Sequence, residues 1–158
     1  MSQMDYKYRV AVEKACADDY AEYVNIFANS AIDKHYFKDS NLLGEIICKA
    51  LENDSILVAK TQSGEIVGLL VYDLTKSYPC LTLIGVKEAF RGKHIGDQLI
   101  DIFLGIAKEC GVGDCFVCVS DFNPRAKALF IKKGFKPEKL VPDLYKKGES
   151  EWLLMKKI

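Results

Sequence analysis

A chain of 158 residues, 49% hydrophobic and 28% charged, can bury one substantial core but is too short for two ordinary domains, so a single unit over residues 1–158 is expected. Lysine plus arginine number 22, as do aspartate plus glutamate, which removes the general charge that would draw nucleic acid or an anionic membrane. No apolar run approaches the ~20 residues of a membrane-spanning helix, no leader segment opens the chain, and the six cysteines read as reduced and mostly buried, so a cytoplasmic protein is expected.

Tyr6 to Lys14 alternates as a first strand. Asp19 and Glu22 offer a capping box for a helix reaching about His35, in which Tyr20, Tyr23, Val24, Phe27 and Ala31 recur at three- and four-residue spacing as one apolar stripe. A second helix, capped by Asp39 or Ser40, carries Leu42, Leu43, Ile46, Ile47 and Ala50 and stops at Asn53-Asp54. Ser55 to Lys60 and Ile66 to Asp73 form a hairpin across a polar turn in which Gly64 is available for a positive φ.

Leu81 to Val86 is a short β-branched run, Lys87 to Phe90 a polar break, and Arg91-Gly92-Lys93-His94-Ile95-Gly96 leads into an amphipathic helix that reaches about Cys110. That helix turns Ile95, Leu99, Ile102, Phe103, Ile106 and Ala107 inward and stops at Gly111 to Gly113. Backbone N–H groups gathered at a helix start, the positive end of its dipole, and Arg91 and Lys93 nearby make a seat for phosphate, so a diphosphate ligand is implied. The nucleotide-binding pattern G-x-x-x-x-G-K-[ST] is absent.

Cys115 to Ser120 is the next strand, and strand, helix, strand in this order implies a right-handed crossover between parallel neighbours. Cys115 and Cys118, three apart on a strand, face opposite sides, so a zinc or redox pair is not expected and no metal is assigned. Asn123-Pro124 opens a helix holding Ala126, Leu129, Phe130 and Ile131 and ending at Gly134. Phe135 onward returns to strand, and Glu151 to Ile158 closes the fold.

Val86 to Gly96 reads V-x-x-x-x-R-G-x-x-I-G, and Asn123 to Phe135 reads N-P-x-A-x-x-L-F-x-K-x-G-F. In this order and at this separation the pair resembles the GNAT superfamily of acetyl-CoA-dependent N-acetyltransferases, and the resemblance covers essentially the whole chain. It implies an α+β fold of mixed three-layer α/β kind: a central mixed, mostly antiparallel sheet, helices on both faces and a splayed parallel strand pair. It also implies a strand bulge at Ile84, Gly85 and Val86 that frees backbone groups for the pantetheine arm, as though the arm were an added strand. The pyrophosphate is then expected on the amides of Arg91, Gly92, Lys93, His94, Ile95 and Gly96, and the thioester between strands parting near Val86 and Val119. Asn123 is expected beside the pantetheine, and Phe130 either beside it or in the core.

The implied reaction moves an acetyl group from acetyl-CoA to a primary amine, on a small molecule or a peptide, by direct attack in a ternary complex. The Val86 amide polarises the thioester carbonyl, and Tyr145, in the loop before the last strand, handles substrate or proton. His94 stands where the family signature has glycine, Cys118 where relatives that acetylate protein N-termini carry a glutamate base, and Phe130 where they carry a tyrosine acid. Those departures motivate the alternative of a catalytically weak acyl-CoA sensor or interaction module on the same fold. Further expectations are Asp121 and Asp143 as bases, His35 lining an acceptor pocket, Lys132, Lys133 and Lys136 drawing the adenosine phosphate, and an exposed last strand pairing across a homodimer.

Overall fold

The computed structural model describes residues 6–28, 30, 32–38 and 40–158. Ala31 in the first helical stripe and Asp39 as a cap lie outside the described residues. The strands are β1 (Ala11–Lys14), β2 (Ile56–Lys60), β3 (Ile66–Asp73), β4 (Cys80–Val86), β5 (Asp114–Ser120), β6 (Lys136–Pro142) and β7 (Ser150–Lys157). The α-helices are α1 (Tyr20–Ile26), α2 (Leu42–Glu52), α3 (Ile95–Glu109) and α4 (Pro124–Lys132), with one π-helical turn at Asp33–Phe37.

The sheet runs in the order β1-β2-β3-β4-β5-β7-β6, and only β4 and β5 are parallel neighbours. Each face carries its own core. On one, Leu99, Phe103 and Ala107 of α3 and Phe130 of α4 pack on Leu57, Leu70, Leu81 and Val117. On the other, Tyr23 and Phe27 near α1, Tyr36 of the π-turn and Ile47 of α2 cover Val58, Leu69, Val71 and Leu83. This is the mixed, two-faced sheet the sequence implies. Among the described residues no helix is long and apolar enough to cross a membrane.

Several boundaries differ for local reasons. β1 begins at Ala11, whose partner Lys60 is the last residue of β2. Val10 instead donates its amide to Gln98 Oε1 at 3.2 Å, and Gln98 Nε2 returns a bond to the Tyr8 carbonyl at 2.8 Å. The first helix stops at Ile26, and Asp19 makes no side-chain cap. Ser30 intervenes: its hydroxyl donates to the Phe27 carbonyl at 2.7 Å and accepts from the Asp33 amide at 3.2 Å, competing with helix continuation. Tyr20 and Ile102, expected inward, are exposed.

The last strand in sequence is not an edge. β7 lies between β5 and β6, and the edge is β6, which carries Pro137 and Pro142, residues that cannot donate to a further strand. The expected homodimer contact through the last strand is therefore corrected. The cysteines are all free; Cys16, Cys48 and Cys110 are exposed rather than buried. Burial pushes the Cys80 thiol up to about 12 and that of Cys115 up to about 11, which leaves both inert at neutral pH.

Candidate active site

The register between β3 and β4 slips by one residue: Val71 faces Leu83, but Tyr72 faces Leu81, leaving Thr82 as the extra residue. The bulge expected at Ile84, Gly85 and Val86 thus lies at Thr82, and past it the pairing Leu70↔Ile84, Leu69↔Gly85, Gly68↔Val86 is unbroken. Gly85 has a different reason to be glycine. A Cβ there would stand 2.4 Å from Phe27 Cε1, so its absence lets the aromatic ring close over the strand.

Pairing of β4 with β5 consists of Cys80↔Phe116 and Leu81↔Val117 and goes no further. Lys87 donates its amide to the Val67 carbonyl on β3 at 2.9 Å. By the alternation of an antiparallel ladder, Gly85 and Leu83 also point to β3, whereas the N–H and C=O groups of Ile84 and Val86 point to the side where β5 has parted. A strand edge with no partner strand therefore lines the gap. The Val86 carbonyl accepts from Arg91 Nε at 3.2 Å, which ties the mouth of the gap to the turn that follows.

That turn reverses the chain with Gly92 at φ 78° and His94 at φ 62°, ψ 28°. His94 is the helix N-cap residue in left-handed conformation, a place where glycine costs nothing and histidine is tolerated at some expense. Gln98 donates the first helical amide bond to the His94 carbonyl, so the amides of Ile95 to Asp97 face outward beyond the helix end. Arg91 and Lys93 are exposed there, with Lys93 Nζ 5.1 Å above the Tyr8 ring. Gly96 admits Leu129 of α4 and Ile84 of β4, whose side-chain carbons come within 3.5 and 3.9 Å of where its Cβ would be.

Other predicted residues are committed elsewhere. Phe130, expected beside the pantetheine or in the core, is 1% exposed and meets Phe135 edge-on at 5.5 Å, so its ring belongs to the core. Lys133, expected to draw a phosphate, is buried and gives its charge to Asp101 at 2.7 Å and Asp97 at 3.3 Å. Burial opposes that charge, but the bonds to Asp101 and Tyr6 prevail and hold its pKa above the ordinary lysine value. Asn123 Oδ1 accepts the Ala126 amide at 3.2 Å as the cap of α4. Asp143 Oδ1 accepts the Gly148 amide at 2.6 Å and organises its own loop, and Asp121 accepts from Trp152 Nε1 at 2.9 Å.

On the face away from α3, a second group of side chains gathers at the open end of β5. Tyr145, in the loop between β6 and β7, is 53% exposed as a residue, yet its hydroxyl lies beside Cys118. Burial of the hydroxyl, with Cys118, Cys80 and Glu151 close by, raises its pKa well above the ordinary tyrosine value. Its ring meets Tyr36 edge-on at 6.3 Å. Phe122 stacks on His35 at 3.8 Å and tilts toward Tyr36 at 5.6 Å, and His35 Nδ1 lies 2.7 Å from Glu149 Oε1.

Glu151 stands at the centre of this group and escapes a reading of the sequence. It is 3% exposed, and its Oε1 accepts from Tyr36 Oη and from Ser120 Oγ, each at 2.8 Å. Burial raises its pKa, against the lowering effect of those two bonds. The signal that would have found it is the pairing Ser120↔Glu151, which exists only once β7 lies beside β5.

A model described as the acetyltransferase (GNAT) family matches residues 17–135, which puts the chain among the acyltransferases. The protein belongs to the GNAT family of acetyltransferases. Comparison with curated proteins returns no match. Among solved structures, a GNAT-family acetyltransferase from Bacillus cereus is 22% identical, with a TM-score of 0.75 over 94% of this chain and 97% of that one. Ard1 from Thermoplasma volcanium is 19% identical, with a TM-score of 0.79 over 94% and 97%. A phosphinothricin acetyltransferase from Sinorhizobium meliloti, solved in complex with AcCoA, is 15% identical, with a TM-score of 0.75 over 94% and 88%. These likenesses establish a shared fold.

Proposed function

We propose that the protein is a cytoplasmic N-acetyltransferase, working as one unit over residues 1–158, that moves an acetyl group from acetyl-CoA to a primary amine of a small molecule or peptide. The amine attacks directly in a ternary complex, and neither nucleic acid nor membrane takes part. The observation that carries this reading is the edge of β4 with no partner strand at Ile84 and Val86, which opens where β5 departs and ends at the N-terminal turn of α3.

Ile84 offers its N–H and C=O, and Val86 its N–H, to an extended amide-bearing arm, as an edge strand does to a partner, while Gly85 turns its own groups to β3. The Arg91 amide is already given to the Glu88 carbonyl at 3.2 Å, so the amides from Gly92 through Lys93 and His94 to Ile95 and Gly96 hold the diphosphate, helped by the helix dipole and the Arg91 and Lys93 side-chain cations. Asn123, whose Oδ1 caps α4, is assigned to the arm through its Nδ2–H2 group. When bound, acetyl-CoA supplies an activated acetyl carbonyl. The Val86 N–H donates to that carbonyl oxygen, where a donor already in place is worth more than in water. Tyr145 keeps its proton at all physiological pH and is the group that delivers one to a departing thiolate.

The test pairs binding with turnover. Coenzyme A should raise the melting temperature, since a ligand held only by the folded state stabilises it. Acetyl-CoA offered with a panel of primary amines and free-N-terminus peptides should release thiol, and Tyr145→Phe should lower kcat by roughly 10². A melting temperature indifferent to coenzyme A would sink this reading. Stabilisation without transfer to any acceptor would favour the sensor module instead.

A further inference from the structure

We propose that Glu151 receives the acceptor amine and takes its proton, in a seat walled by Tyr36, Phe122 and Tyr145, and that the acceptor is a primary ammonium on a compact apolar stem. The proposal rests on the acetyltransferase reading above. Its first ground is an orphaned atom. Glu151 Oε1 has both of its donors, Tyr36 and Ser120, while Oε2 is sealed from solvent and has no hydrogen-bond partner among the described residues. A buried acceptor with nothing to accept from is rare and calls for a ligand or a role. A primary ammonium supplies the donors that the oxygen lacks.

Position is the second ground. Ser120 and Glu151 face each other across the β5–β7 ladder, three residues past Val117, where β5 makes its last pair with β4. Ser120 and Cys118 alternate on one face of β5, so the carboxylate stands on the same side of the sheet as the Tyr145 O–H that reaches Cys118. Acid and base thus flank the end of the gap. Position 118 itself is a thiol whose pKa burial raises, so the carboxylate from the neighbouring strand is the group on this face suited to proton transfer.

The surrounding rings are the third ground. Tyr36, 8% exposed, bonds the carboxylate through its hydroxyl and touches both Phe122 and Tyr145 with its ring. Aromatic faces attract a cation and shelter an apolar stem. Glu149 and Asp121 stand near enough to push the Glu151 pKa further up, though Glu149 is paired with His35 and Asp121 with Trp152. A carboxyl group lifted in this way comes closer to the working range of a general base.

The proton step balances simply. One N–H bond of the ammonium breaks, its electron pair stays on nitrogen, and an O–H bond forms on Oε2. Over the whole transfer an ammonium and an acetyl thioester become an amide, a thiol and one proton, which Glu151 gives up once the product has left the seat.

Wild type and Glu151→Gln are titrated with 2-phenylethylammonium and with 2-phenylethanol, which has the same ring and stem without the cation, and binding is followed by calorimetry. Wild type should prefer the ammonium by about ten-fold or more. That preference should grow as pH rises through the ionisation of Glu151, whose titrating neighbours are Tyr36, Cys118, Asp121, Tyr145 and Glu149. Glu151→Gln should bind the two probes alike. Equal preference in both proteins, or no ammonium binding by wild type, overturns the proposal. The coenzyme A shift in melting temperature is measured on both proteins: in the variant it shows a folded chain, and its absence in wild type counts against the acetyltransferase reading alone. Should Glu151→Gln not fold, Tyr36→Phe removes one donor from Oε1 and should move the pH midpoint of the preference upward; an unmoved midpoint overturns the proposal.

Discussion

Gly85→Ala isolates one packing contact behind the gap. The added carbon would stand 2.4 Å from Cε1 and 2.9 Å from Cζ of Phe27, against the ~3.5–4.0 Å of ordinary carbon contact. Phe27 has no room to retreat, being 1% exposed and set edge-on to Phe37 at 6.1 Å. Over-packing of this kind costs roughly 1–3 kcal/mol, and the reduced freedom of alanine in the unfolded chain returns about 0.4–1 kcal/mol. The net loss is about 1–2 kcal/mol, or ~2–8 °C in melting temperature for a chain of this size. Urea and thermal unfolding of Gly85→Ala, Phe27→Leu and the double variant decide the matter. Because leucine vacates the space the new methyl needs, the double variant should be more stable than the sum of the single losses by roughly 1 kcal/mol. Additive losses would refute the contact, and so would a Gly85→Ala protein as stable as wild type.

The ion cluster beneath the α3 turn gives a second prediction. Asp97 lies 3.3 Å from Lys133 and 3.4 Å from Lys132, and Asp97→Asn leaves part of a buried lysine's charge unanswered, so urea unfolding should show a loss of roughly 1–3 kcal/mol. Burial pushes the Asp97 pKa up, but His94 and the two lysines outweigh it and hold it below its ordinary 3.8. Its stabilising contribution is then present above 3.8 and fades as pH falls through the lowered value, and the Asn variant should lack that acid-limb loss. Glu151 has the opposite sign. Its folded pKa lies above the ordinary 4.5, so its contribution is full below 4.5 and is lost as pH rises through the raised value. Glutamine does not titrate, so the melting temperature of Glu151→Gln relative to wild type should climb from acid to neutral pH; a flat difference would show an unperturbed carboxyl.

The order of elements was legible because periodicity and punctuation agree through most of the chain. The stripe of α2, that of α3 apart from Ile102, the Gly64 turn at φ 89° and the Asn123 cap do in the structure what their residue types favour. Where the reading slipped, a long-range contact decides. Gly85 is glycine because of Phe27, far away in sequence, and the bulge sits at Thr82, which no local signal marks. For Phe130 the core, one of the two places its motif position allows, is decided by packing on Phe135.

Glu151 shows the limit most sharply. At the head of E-W-L-L-M-K-K it looks like any polar residue before a strand, and its partner Tyr36 is 115 positions away. Tyr36 reaches it because the helix expected to run on to His35 breaks at Ser30 and restarts as a π-turn. Neither the break nor the β5–β7 register follows from composition or spacing.

The short β4–β5 pairing has a mechanical consequence. With two residue pairs as the only rungs between them, β1 to β4 and β5 to β7 form two panels joined by a narrow seam. The two panels are also joined by the core under α3, in which Leu99 and Phe103 lie in one cluster with Leu81 of β4 and Val117 of β5. A core shared in this way sets how far the panels can part, so repacking it under α3 is a way to alter the span of the cleft from the opposite face of the sheet.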